Sequence, residues 1–288
     1  MSAPLIGLIA HTGKSGALAM ASRLLGELQR QGAVVRIEAK TAEMMAEAGG
    51  VSTAGLAREC ELLVVLGGDG TILNVVHEMG DDLKPIFGIN LGSLGFLTCV
   101  SSSAVDQAVE CIVSRRYVKT QRIMLELEVR RDEITIARRI GLNDAVVSRG
   151  ALSRLIRLQT WIDGAALTEY NADGLVISTP TGSTAYSLAA GGPILTPDCG
   201  VFAVTPICPH VLTNRSLIFS DSSTIAISPR EDQGEIYVTV DGQDTLAIFS
   251  GDIVHIRKAK QCVLLAVLPG VSFFEVLRQK LKWSGTAL

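Results

Sequence analysis

The residues best able to do chemistry sit in one stretch, Gly67-Gly68-Asp69-Gly70-Thr71. Three glycines let a bulky anion approach the backbone, because no Cβ stands in the way. Five apolar residues, Leu62 to Leu66, precede them and read as a buried parallel strand. Thr71-Ile72-Leu73-Asn74-Val75-Val76 then opens a helical pattern, with Thr71 placed to cap it. A glycine turn between a strand and a helix N-terminus presents backbone N–H groups and a positive dipole end to phosphate. Asp69 conflicts with that role, since a carboxylate repels phosphate unless it holds a metal or takes a proton. The simpler reading is a tight turn with Asp as a turn residue.

The elements that must position this stretch follow from the rest of the first hundred residues. Leu5 to Ala10 reads as a first strand, and an Ala/Leu-rich helix runs to about Gln31. Between them, Gly13-Lys14-Ser15 resembles the end of a phosphate loop. That motif needs a glycine at position 8, which is Leu8, so the reading fails on spacing. Val34 to Ile37 is a second strand, Thr41 to Cys60 is helical in part, and Pro85 to Asn90 is a fourth strand. Strands alternating with helices predict a mostly parallel sheet with helices on both faces. Ligands of such sheets bind beyond the carboxyl ends of the strands. The loop Leu91-Gly92-Ser93-Leu94-Gly95-Phe96-Leu97-Thr98 should lie there beside the Gly67–Gly70 turn.

After a helix from Ala104 to about Arg115 the texture changes to short alternating strands at hairpin spacing. A β-rich domain therefore follows, with a boundary near residue 100. Val271 to Leu281 is a closing amphipathic helix, expected to pack back on the first domain. Within the β-rich part, Asn143 and Asp144 sit in a strand pattern although both are poor strand formers. Their oxygens suit sugar hydroxyls, or they mark a bulge or edge. Asp173 through Tyr186 forms a strand, a hydroxyl-rich glycine turn and a small-residue helix, whose N-terminus suits a polar ligand. Tyr186 could lie against a base. Asp241-Gly242 reads as a hairpin apex.

The bulk properties exclude several classes. At 288 residues the chain holds two ordinary domains, and 48% hydrophobic with 19% charged residues is globular. A net charge of −3 gives no support to nucleic-acid binding. No apolar run reaches membrane-spanning length, and no basic region precedes the first apolar residues. Six scattered cysteines without a Cys-x-x-Cys pair predict a reduced, cytoplasmic protein with no structural zinc.

Four stretches together resemble the NAD kinase family. They are Gly67-Gly68-Asp69-Gly70-Thr71, Leu91 to Leu97, Leu142-Asn143-Asp144-Ala145, and Asp173-Gly174-Leu175-Val176-Ile177-Ser178-Thr179-Pro180-Thr181-Gly182-Ser183-Thr184-Ala185-Tyr186. They stand in the family's order, and the last is the most specific. Diacylglycerol and sphingosine kinases share the GGDG turn but not that block. The resemblance implies a Rossmann-like α/β domain over residues 1–100, a β-rich NAD-binding and oligomerisation domain over 101–269, and a tail, 270–288, returning to the first domain. It implies ATP-dependent phosphorylation of the 2′-hydroxyl of the adenosine ribose of NAD, in a cleft between the domains. The divalent ion, Mg or Mn, would be carried with ATP rather than held in a dedicated protein site. The oligomer would be a homodimer or homotetramer.

Residue by residue, the resemblance makes Asp69 the catalytic base and Gly67, Gly68, Gly70 and Thr71 the phosphate loop. It places Asp69, Gly70, Phe96, Asn143, Asp144, Arg154, Asn171, Asp173, Thr184, Ala185, Tyr186, Ser187, Leu188, Ala189, Cys208 and Gln243 along the NAD site. Asp144 is shorter than the Glu of many relatives. Asn171 stands where some carry a basic residue, which leaves selection between NAD and NADH open. A lipid kinase would need an apolar cleft, and the block from Thr179 to Tyr186 is too polar for one. A sugar-phosphate kinase would need basic residues for the substrate phosphate, and the site-lining stretches offer mainly Arg154. A non-catalytic dinucleotide-binding module would have no use for Asp69.

Overall fold

The structure, a computed structural model, describes residues 2–283 except 93–94, 99, 102–103, 151–154, 212 and 231–234. The chain forms two compact units, one of residues 1–121 with 263–288, the other of residues 122–262. The break therefore falls about twenty residues after the boundary expected at 100.

The first unit opens with β1 (Leu5–Ala10), α1 (Ala17–Arg30), β2 (Val34–Ile37), α2 (Ala39–Met45) and α3 (Thr53–Glu59). It continues with β3 (Leu62–Gly67), α4 (Asp69–Met79), β4 (Ile86–Asn90), β5 (Val100–Ser101) and α5 (Val105–Val113). All strand pairs here are parallel, in the order β2-β1-β3-β4. Every residue of β3 and β4 is buried, as expected for a parallel strand covered on both faces. α5 explains the late break: Val105, Ala108, Val109 and Ile112 enter the same core as Ile6, Leu8, Val64 and Phe87. Their spacing at three and four residues gives the helix one apolar face.

The second unit carries β6 (Val118–Arg131), β7 (Ile134–Gly141), β8 (Asp144–Arg149), β9 (Ile156–Ile162), β10 (Ala165–Ala172) and β11 (Gly174–Ser178). A short helix α6 (Tyr186–Ala189) follows, then β12 (Val201–Ile207), β13 (Leu217–Ser220), β14 (Ile225–Pro229), β15 (Ile236–Val240), β16 (Gln243–Ile248) and β17 (Ile253–Val267). One antiparallel sheet has the order β13-β12-β11-β8-β15-β16. Alternate residues of its strands, such as Ala145 and Val147 or Ile236, Val238 and Val240, share a core with Leu125, Leu127, Leu158, Ile227 and Val254. That period of two is the signature of a half-buried strand. The Asp163-Gly164 and Asp241-Gly242 turns both have positive φ at each residue, 51° with 81° and 52° with 69°, the geometry of tight hairpins.

The end of β17 belongs to the first unit, where Leu265 and Ala266 pair in parallel with Ile86 and Phe87 of β4. The last helix, α7 (Phe273–Leu281), also counts with the first unit, as expected. Ser272 caps it by accepting from the Phe274 N–H at 3.2 Å.

Candidate active site

In the first unit the glycine turn is built around Thr71, but not as the helix cap. α4 starts at Asp69, with Gly68 in the capping position. Thr71 lies one turn in and accepts the Gly68 N–H on its Oγ1 at 3.3 Å. This closes the turn from inside the helix, because Gly68 has no side chain with which to cap. A Cβ on Gly67 would lie 2.3 Å from that same Oγ1, so Gly67 is required by packing.

Asp69 is half-buried and held from the second loop. Its Oδ2 accepts the Phe96 N–H at 2.8 Å and its Oδ1 the Leu97 N–H at 3.0 Å. The loop is held in turn by buried Asn90, whose Nδ2 donates to Thr98 Oγ1 at 2.7 Å and whose Oδ1 accepts the Gly92 N–H at 2.7 Å. The Gly95 N–H donates to the same Thr98 oxygen at 3.0 Å. A Cβ on Gly95 would lie 2.0 Å from Asp69 Oδ1. Gly95 and Thr98 thus set the carboxylate's position, although neither stood among the expected site residues. The signal was present as the glycine-rich loop ending in Thr98. Oδ1 also accepts the Thr98 hydroxyl at 3.5 Å, which leaves a lone pair of Oδ2 to accept a substrate hydroxyl. The Phe96 ring stands 6.2 Å from that of Phe273.

In the second unit Asn143 precedes β8 and Asp144 opens it. What holds them is Asp241. Its carboxylate accepts the N–H groups of Leu142 at 2.7 Å, Asn143 at 2.7 Å and Asp144 at 3.1 Å. The Asp-Gly apex is therefore both a hairpin turn and a clamp on the Asn-Asp pair. Burial first, and the Asp241 charge second, push the Asp144 carboxyl up to about 7. Asn143 Oδ1 and Thr181 Oγ1 are buried and have no hydrogen-bond partner among the described residues. Buried polar atoms left in this state are places where a ligand can bond.

The helix of the hydroxyl-rich block is short. α6 has only four residues, too short for a helix dipole to attract phosphate strongly. Its hydroxyls mostly brace the backbone. Thr179 Oγ1 donates to the Leu142 carbonyl at 2.6 Å, Ser183 Oγ to that of Pro180 at 2.7 Å, and Thr184 Oγ1 to that of Thr181 at 3.2 Å. Gly182 presses on the Asn143 backbone, where a Cβ would meet the carbonyl oxygen at 2.1 Å. The block carrying Thr184, Ala185, Tyr186, Ser187, Leu188 and Ala189 is thereby bonded to the Asn143-Asp144 segment. Tyr186 is exposed, and Ser187 Oγ stands 3.4 Å from Thr205 Oγ1.

Asp173 accepts from Arg149 Nε at 2.6 Å, a partner that sequence reading missed. The Asn171 carbonyl accepts the His210 N–H at 2.9 Å. Cys208 is exposed, with φ at 44°. Gln243 opens β16 beside the Asp241 clamp. Arg154 lies outside the described residues.

Comparison with known proteins bears on this arrangement. The ATP-NAD kinase N-terminal domain family matches residues 6–117, and the ATP-NAD kinase C-terminal domain family matches 142–267. An NAD kinase of Syntrophotalea carbinolica is 40% identical over 279 residues, covering 96% of this chain and 98% of that protein. The chain belongs to the ATP-NAD kinase family. An NAD kinase of Geobacter sulfurreducens is also 40% identical, over 264 residues, with 92% and 93% coverage. The crystal structure of yeast NADH kinase complexed with NADH matches with a TM-score of 0.91 at 25% identity, over 100% of this chain and 90% of that one. The fold also matches an NAD kinase from Archaeoglobus fulgidus in complex with ATP, at a TM-score of 0.76 and 22% identity, with 98% and 100% coverage. Both matched family segments contain candidate residues: Asp69 with its holding loop lies in the first, and the Asn143-Asp144 pair with its clamp in the second.

Proposed function

We propose that this member of the ATP-NAD kinase family transfers the γ-phosphoryl group of ATP to the 2′-hydroxyl of the adenosine ribose of NAD, giving NADP and ADP. The observation that carries the residue assignment is Asp69, fixed by two loop N–H bonds at the end of a glycine turn. The ribose 2′-oxygen attacks the γ-phosphorus as its proton passes to Asp69. The new O–P bond forms while the bond to the β–γ bridging oxygen breaks, and ADP leaves with that electron pair. Positioning and charge neutralisation supply most of the rate in such transfers.

Both Asp69 oxygens accept loop N–H bonds, and a divalent ion, Mg or Mn, would be carried on the triphosphate, where it would neutralise phosphate charge. Gly67, Gly68, Gly70 and Thr71 cradle the phosphates. Phe96, Asn143, Asp144, Asn171, Asp173, Cys208, Gln243 and the segment from Thr184 to Ala189 line the NAD site. On the family resemblance we place the protein in the cytoplasm as a homodimer or homotetramer.

The test is production of NADP from NAD, ATP and magnesium, read with an NADP-specific dehydrogenase, beside Asp69→Asn. The variant should bind NAD as the wild type does and lose at least about 10²-fold in kcat. A fully active Asn variant would remove Asp69 from the base role. Replacing NAD by NADH in the same assay measures the selectivity that Asn171 leaves open.

A further inference from the structure

The loop that holds Asp69 contains two glycines, Gly92 and Gly95, whose backbone is costly to keep in one shape. Asn90 and Thr98 hold those two by hydrogen bonds. Phe96 carries the N–H that Asp69 Oδ2 accepts at 2.8 Å, and its side chain is held by an apolar contact instead. The ring is half-buried, 6.2 Å from that of Phe273 with the planes inclined at 42°. The far side of the Phe273 ring meets Phe274 edge-on, at 5.7 Å and 67°. Both separations fall in the range where aromatic pairs attract.

Phe273 is the better anchored of the first pair. It is the first residue of α7, and Ser272 beside it caps the helix. Val276 and Leu277, within the next turn, are buried. Val271, two residues earlier, packs on the core that also takes Leu91, the first residue of the loop. The chain is therefore fixed on both sides of Phe273, within the unit that contains the loop.

We propose that Phe273 is a positioning residue for phosphoryl transfer. Its ring seats Phe96, and through the Phe96 and Leu97 N–H groups it keeps the Asp69 carboxylate where the substrate hydroxyl arrives. The proposal rests on the kinase reading of Asp69 and gives the last helix a part in it. The physical link is short. The ring and the N–H of Phe96 share one Cα, so a ring that swings out carries its N–H away from Oδ2. Without the Phe273 ring, hydrogen bonds alone would hold a half-exposed loop, and water competes for each of them.

The test compares wild type, Phe273→Ala and Phe273→Tyr in two ways. Amide hydrogen exchange, read by NMR, reports the opening of the loop whether or not the protein turns over. Loss of an aromatic pair corresponds to about 2–10-fold in an opening equilibrium. The Phe96 and Leu97 amides should therefore exchange at least twofold faster in Phe273→Ala, on the order given by the ring pair, and β3 amides should keep their wild-type rates. In steady-state kinetics Phe273→Ala should lower kcat at least about threefold, with KM for NAD and ATP within about twofold of wild type. Phe273→Tyr, which keeps the ring, should recover both readouts. On a Phe96→Ala background Phe273→Ala should lower kcat no further, because the partner ring is already gone. Should Phe273→Ala not fold, Phe273→Leu keeps the apolar bulk, loses the ring and carries the same readouts. Unchanged kcat and exchange in a folded variant, or an equal loss of kcat on the Phe96→Ala background, overturns the proposal and leaves the kinase reading intact. Faster exchange in a protein whose wild type makes no NADP overturns the kinase reading and retains the hold of Phe273 on the loop.

Discussion

The position of Asp69 is set by a glycine it does not adjoin in sequence, and Gly95→Ala tests that directly. The new Cβ would stand 2.0 Å from Asp69 Oδ1, 2.7 Å from its Cγ and 2.5 Å from Thr98 Oγ1. Ordinary contact begins near 3.4 Å, so carboxylate and loop must part by about 1.4 Å. Whichever moves, the bonds from the Phe96 and Leu97 N–H groups at 2.8 and 3.0 Å are stretched or lost. Misplacing a reacting group by about 1 Å costs about 10²-fold. Bonds to a charged group contribute about 1.5–3 kcal/mol each. Asp69 is half-buried, so water replaces part of that, leaving about 2 kcal/mol of destabilisation. The expected result is a kcat lowered about 10²-fold with KM for NAD little changed, since the interaction acts mainly in the transition state. Steady-state kinetics with an NADP-specific dehydrogenase and urea unfolding read both. A folded Gly95→Ala enzyme with wild-type kcat would refute the claim that this loop positions the base.

Three further predictions concern other parts of the molecule. Asp144 has its carboxyl raised to about 7, by burial and then by Asp241, so the folded chain keeps a proton that the unfolded chain releases nearer pH 4. The associated stability is complete below the unfolded value and lost as pH rises through about 7. Asp144→Asn removes that dependence, and its stability relative to wild type should rise by about 2–3 kcal/mol between pH 5 and 8 in urea titrations. A difference independent of pH would contradict the assignment. Gly182→Ala drives a Cβ into the Asn143 carbonyl at 2.1 Å, backbone against backbone. It should cost about 3 kcal/mol in unfolding experiments and weaken NAD binding at least tenfold by calorimetry. Gly26 is exposed in the middle of α1, with nothing within 4 Å of an added Cβ. Gly26→Ala should stabilise the protein by about 0.5–1 kcal/mol and leave NADP production unchanged.

Much of this was legible in the residues because it is local. The apolar run Leu62 to Leu66, the glycine turn and the helix after it are consecutive, and period alone separates the first unit's helices from the second's strands. The two positive-φ hairpins follow from their Asp-Gly pairs. What escaped was contact between distant segments. Asp241 reads as a turn residue, and nothing nearby in sequence says that its carboxylate takes three N–H groups about a hundred residues away. Gly95 holding Asp69, and Arg149 pairing with Asp173, are hidden for the same reason. The hydroxyls from Ser178 to Thr184 invite a ligand-binding reading, but most of them serve their own turn. Thr71 was placed one turn too early because a glycine at the capping position moves the bond inward.

The second unit interrupts the first, and this fixes an order of events during synthesis. The edge of β4 at Ile86 and Phe87 is completed by Leu265 and Ala266, and Ala266 and Leu268 close the core around Phe87 and Ile89. Between these partners the ribosome must deliver all of residues 122–262. At cellular translation rates that is a wait of roughly ten to thirty seconds. Throughout it a parallel sheet stands with an unpaired apolar edge, the template on which nascent chains associate with one another. The inserted unit, whose own residues are contiguous, can fold within that interval. Slower growth temperatures or added chaperone during overproduction should therefore raise the soluble yield chiefly by protecting the half-finished first unit.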